Sequence, residues 1–221
     1  MYLEVGTKRV FAGALEWPGW CRSGRGEDGA LEALLAYARR YRSAMGRSAE
    51  GLDAPKSPDG FEVVERLRGD ATTDFGAPGA QPEADRRPLD DAELGRLTRL
   101  LRATWRAFDR SAQRAEGVRL RKGPRGGGRE LPAIVAHVLE ADRAYLSRLG
   151  GRHGKNERAD LEAEMAAVRR GLVDAIAART RGDPLPEGRR SRTVWTPRYG
   201  VRRSAWHALD HAWEIEDRVT D

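Results

Sequence analysis

The sequence predicts an α+β chain in two parts, a small N-terminal α/β unit over residues 1–75 followed by an all-α four-helix bundle over residues 89–221. Two observations carry that reading. Short runs of strand-forming residues bounded by turn signals fall in the first 75 residues, around one helical segment, whereas four longer segments after residue 88 repeat apolar residues at steps of three and four. Between them lies 76–88 (GAPGAQPEADRRP), rich in proline, glycine and charge, which reads as a linker.

In the first part, Arg9-Val10-Phe11-Ala12-Gly13-Ala14-Leu15-Glu16-Trp17 has strand character and Pro18-Gly19 breaks it with a turn. Glu27 or Asp28 opens a helix whose apolar positions Leu31, Leu34, Leu35, Ala38 and Tyr41 keep helical spacing, with Gly46 as its stop. A second strand is expected over 61–67 and a weaker third over 71–75. In the second part, Asp90 caps a helix in a capping-box arrangement with Glu93, and its apolar face is Leu94, Leu97, Leu101, Trp105, Phe108 and Ala112. Pro132 suits the first turn of the next helix, whose stripe is Ile134, Val138, Ala141, Tyr145 and Leu149. The third helix uses Leu161, Met165, Val168, Leu172 and Ile176 and ends at Gly182-Asp183-Pro184. The fourth is expected from near Gly200 to about Arg218, with Val201, Ala205, Ala208, Ala212 and Ile215 apolar. None of the four can bury its stripe alone, so packing against one another is the economical solution.

At 221 residues, with 39% hydrophobic and 33% charged side chains, the composition suits a soluble, helix-rich protein. No apolar run approaches the roughly 20 residues that span a bilayer, so no membrane partner is expected. Met1-Tyr2-Leu3-Glu4-Val5 lacks a basic start, an apolar core and a cleavage site, and the single cysteine, Cys21, excludes an internal disulfide framework. A cytoplasmic location is the expectation. The net charge of +6 is unevenly spread: residues 1–80 carry 11 basic and 12 acidic side chains, leaving 29 and 22 for the rest. The excess sits in two loops, Arg119 through Arg129 and Arg179 to Arg203, but only four of the 40 basic residues are lysine. That bias is what a GC-rich genome produces, so basicity alone is a weak argument for a nucleic-acid partner.

The chemistry-bearing signal is His-Ala-Leu-Asp-His over 207–211. Histidines four apart project from one helical face and can share a metal ion, and His137 sits inside another helix that a bundle can bring opposite them. Three imidazoles leave a zinc ion one position for water or a substrate atom, while nickel, iron and manganese accept the same ligands, so the sequence names a divalent metal without choosing it. Asp210, Glu140 and Glu214 lie near the histidines. Glu214, three residues after His211 and seven after His207, is the best placed to support them.

On these motifs, Ile134-Val135-Ala136-His137-Val138-Leu139-Glu140 and Ser204-Ala205-Trp206-His207-Ala208-Leu209-Asp210-His211-Ala212-Trp213-Glu214, residues 90–219 resemble the DinB/YfiT-like superfamily. The continuation Ile215-Glu216-Asp217-Arg218 resembles the endings of many actinobacterial members. The resemblance implies a four-helix bundle that holds a metal through His137, His207 and His211. It also implies an S-transferase or isomerase, or a hydrolase, using a low-molecular-weight thiol such as mycothiol on a small-molecule substrate. Glu214 would serve the reacting centre, and Arg198, Arg202 and Arg203 would hold carboxylates of the substrate or thiol. Members of this kind often pair side by side, so a homodimer is an open expectation. Arg9–Tyr41, with Glu16-Trp17-Pro18-Gly19-Trp20-Cys21, is similar to HicB-like domains over some 35 residues. The alternative is a non-catalytic binding module that meets nucleic acid or a toxin-like partner through its basic loops.

Overall fold

The structure, a computed structural model, describes residues 1–122, 128–154, 160–185, 187 and 194–219. It is an α+β protein whose sheet is built from four-residue strands: β1 (Tyr2–Val5), β2 (Val10–Gly13), β3 (Cys21–Gly24) and β4 (Glu65–Arg68). Their order is β3-β2-β1-β4, antiparallel except where β1 and β4 run parallel. Strand alternation gives the sheet two different faces. Leu3, Val10 and Ala12 point toward α1 (Gly26–Ala36) and join one core with Ala30 and Leu34. Phe11 and Cys21 point the other way and pack on Trp206.

After α1, the helix expected to run to Gly46 breaks at Tyr37 into α2 (Ala38–Met45), and Gly46 ends it at φ 54°. Residues 71–75 form a short helix, α3 (Ala71–Phe75), where a strand was expected. The reason is local: Asp70 accepts from the Thr72 and Thr73 backbone N–H groups, and Thr73 Oγ1 accepts from the Asp70 N–H, a reciprocal cap that outweighs the β preference of threonine and phenylalanine. The strand expected over 61–67 is confined to β4, and the N-terminal residues supply β1, which carries the buried Glu4.

Four long helices follow: α4 (Asp91–Arg114), α5 (Leu131–Arg148), α6 (Leu161–Arg181) and α7 (Pro197–Arg218). Asp90 caps α4 through the Glu93 N–H at 2.8 Å, but the Glu93 side chain turns to Arg198 instead of closing a capping box. Gly182 ends α6 in the left-handed region (φ 76°), as glycine allows without a Cβ penalty. Thr196 caps α7 and Pro197 starts it, three residues earlier than expected. Helix α7 packs along α4 and against α5 and α6, and α5 packs on α6. Alanines at the contact, Ala103 and Ala107 on α4 with Ala205, Ala208 and Ala212 on α7, are all buried and let the two axes approach closely.

One core runs from Leu3, Val10 and Ala12 through Trp20, Leu34 and Tyr41 into Leu101, Phe108, Ile134, Leu172 and Ile215. Each fully buried aliphatic side chain contributes roughly 1.5–3 kcal/mol. Residues 76–88, read from sequence as a linker, are tied down within it. The Gly79 and Ala80 N–H groups donate to the buried Glu4 carboxylate at 2.9 Å each. Tyr199 donates to the Gly79 carbonyl at 2.7 Å, and Asp85, wholly buried in a short 3-10 turn, pairs with Arg202. Two buried carboxylates need partners, and this segment and the start of α7 supply them. No described helix is long and apolar enough to cross a membrane.

Candidate metal centre

Helices α5 and α7 bring three imidazoles together. His137 stands in the second turn of α5 after Pro132, and His207 and His211 face it from successive turns of α7. The Nε2 atoms of His207 and His137 are 3.3 Å apart, those of His211 and His207 3.2 Å, and the ligand atoms of all three lie within 4.8 Å of one another. His207 and His211 are 7% and 9% exposed while His137 is half-buried, so the open side of the cluster is toward α5. A tetrahedral ion with nitrogen ligands at ~2.0–2.1 Å sets those nitrogens ~3.3–3.4 Å apart. The 3.3 and 3.2 Å separations from His207 fit that donor set. Imidazole lone pairs aimed at one another repel unless a proton or a cation stands between them.

The tautomer of His211 is fixed from behind. Its Nδ1 lies 2.7 Å from Glu214 Oε2, so Nδ1 donates and Nε2 keeps its lone pair for the centre. Glu214 Oε1 accepts from Arg218 Nη1 at 2.9 Å, and Arg218 Nε donates to the Arg121 carbonyl at 2.7 Å. A chain of contacts thus runs from the loop before α5 through Arg218 and Glu214 to His211. The bond with His211, joined by Arg218, holds the Glu214 carboxyl below its usual range. Burial first, then the charges of His211 and Arg129, lowers the pKa of His137, and burial depresses that of His207 further. Both rings are therefore neutral at pH 7, the form that binds metal. His207 Nδ1 is buried with no partner among the described residues.

Aromatic rings wall one side of the cluster. Tyr145 meets His207 edge-on at 5.8 Å, Trp195 lies 5.2 Å from Tyr145, and Trp206 lies 6.0 Å from His207. Tyr145 was readable only as core spacing and Trp195 carried no signal, because their neighbours come from distant segments. Arg218 was readable as a partner of Glu214 four residues earlier.

The other expected residues are distributed differently. Glu214 touches His211 and Arg218 and is a positioning residue rather than a group at the reacting atoms. Arg202 spends its donors on both Asp85 oxygens (2.8 and 2.6 Å) and the Ala14 and Leu15 carbonyls. Arg198 is engaged by the Arg87 and Pro88 carbonyls and Glu93. Neither Arg198 nor Arg202 turns toward the histidines; they pin the 76–88 segment, whereas Arg203 lies over Trp206 with its guanidinium carbon 4.6 Å from the ring. Asp210 pairs with Arg22 of β3 at 2.9 Å, and Glu140 with Arg143. The fourth histidine, His153, packs its Nε2 3.0 Å from the Glu164 carboxylate. Burial pushes the Cys21 thiol up to about 12, which makes it an inert core group. Of the basic loops, Arg125 and Arg189, Arg190 and Arg192 lie outside the described residues. Comparison with protein-family models, with curated proteins and with solved structures finds no match.

Proposed function

We propose that the chain is a metal-dependent enzyme of the DinB-like type, in which α4–α7 act as a four-helix bundle holding a divalent ion on His137, His207 and His211. The observation that supports this best is the convergence of the three imidazoles at a half-open, largely buried position, with His207 Nε2 3.3 Å from that of His137 and 3.2 Å from that of His211. A bound zinc ion would supply Lewis acidity and lower the pKa of a thiol or water that it holds. The chain's own residues do the rest. Glu214 locks the His211 tautomer, Arg218 locks Glu214, and Tyr145, Trp195 and Trp206 exclude water from one side. Such a site suits transfer of a low-molecular-weight thiol, or isomerisation through one, on a small-molecule substrate.

Metal analysis of the purified chain against a His207→Ala/His211→Ala variant tests the reading. About one equivalent of metal is expected in the wild type and almost none in the variant. Equal metal in both would remove the proposal and favour the non-catalytic binding module.

A further inference from the structure

Arg203 precedes His207 by one helical turn on α7, about 6 Å along the axis at ~1.5 Å per residue. Its guanidinium carbon lies 4.6 Å from the Trp206 ring centre and 5.9 Å from that of Tyr145, and both of those rings neighbour His207. One donor, Nη1, is spent on the Pro78 carbonyl at 2.7 Å. Nε and Nη2 have no hydrogen-bond partner among the described residues, and neither is buried. Those two donors form the side edge of the guanidinium, the fork that receives a carboxylate through two parallel N–H···O bonds.

The neighbouring acids are already committed. Asp210 is taken by Arg22, and Glu214 by His211 and Arg218. Arg198, Arg202 and Arg218 likewise meet internal acceptors. Arg203 alone among the arginines of α7 keeps its fork unclaimed, beside the histidines, and the Pro78 tether and two rings hold it in place. A preorganised guanidinium loses less entropy when a ligand binds. The fork matches the two coplanar oxygens of a carboxylate.

We propose that Arg203 anchors the carboxylate of a small acid whose other end donates to the ion held by the three histidines, with the Tyr145 and Trp206 rings flanking the linker between the two ends. This assignment rests on the metal reading above. Calorimetric titration of the zinc-loaded full chain with succinic acid monohydroxamate, and with the neutral amide of the same hydroxamate, tests it. The carboxylate probe is expected to bind at least about tenfold more tightly than the amide. Arg203→Gln should abolish that preference while leaving zinc content and amide affinity unchanged. Arg203→Lys, which keeps the charge without the fork, should retain only part of it. A wild type with no preference, or Arg203→Gln with the full preference, overturns the assignment. Zinc content is read first: no zinc uptake removes the metal reading itself, whereas zinc uptake without carboxylate preference removes only the role of Arg203.

Discussion

Asp142 is a buried carboxylic residue of α5. It is 1% exposed; Oδ1 accepts from Ser204 Oγ at 3.2 Å, and Oδ2 has no hydrogen-bond partner among the described residues. Arg169 Nε stands 3.7 Å away, too far for a hydrogen bond, because Arg169 Nη1 is drawn to both Asp109 oxygens at 2.8 Å. Burial outweighs the nearby guanidinium and pushes the Asp142 carboxyl up to about 7. A carboxyl whose pKa is higher folded than unfolded binds extra protons only in the native state. Its contribution to stability is therefore lost as pH rises from ~4 toward 7. Asp142→Asn cannot titrate, so its urea midpoint should gain on the wild type across that window and hold a constant lead above pH 8. The other ionisable groups are common to both proteins and cancel in the difference. A difference independent of pH would contradict this account of Asp142.

Between elements in the N-terminal part, β3 packs closely on α1. A Cβ on Gly24 would overlap the backbone of Gly29, which cannot swing aside as a flexible side chain does. Gly24→Ala is therefore expected to cost at least about 1–3 kcal/mol, read as a lowered denaturation midpoint. An unchanged midpoint would mean that α1 does not rest on β3 as described. The same elements explain what sequence could and could not convey. The long helices were legible because Leu97, Leu101, Trp105 and Phe108, or Ile134, Val138 and Tyr145, repeat over several turns. Strands β1 and β3 were not, since four residues containing a buried Glu4, or Arg22 and Gly24, show no period. Residues 71–75 misled because side-chain propensity pointed one way and the Asp70 cap the other. The convergence of the histidines was legible at the spacing of 207 and 211, which a helix fixes. The placement of His137 opposite them depends on α5 meeting α7, which pattern alone does not dictate.

At the scale of the whole molecule, the sheet and the long helices are joined through a buried charge pair. Asp85 is wholly buried and Arg202 is 7% exposed, and that arginine also holds the Ala14 and Leu15 carbonyls. The two residues are 117 positions apart, so no local pattern could announce the pair. Arg202→Met would leave Asp85 charged and unpaired, a loss of about 3–5 kcal/mol. Because Phe11 and Cys21 of the sheet also rest on Trp206, tryptophan fluorescence and helical ellipticity should fall together in that variant. Two separate transitions would mean that the N-terminal part folds independently of α7. The claim on which the functional reading depends is that His137, His207 and His211 ligate one ion. Zinc X-ray absorption on the loaded protein tests it most directly: three imidazole nitrogens at ~2.0–2.1 Å are expected, and a shell without imidazole scattering would contradict it.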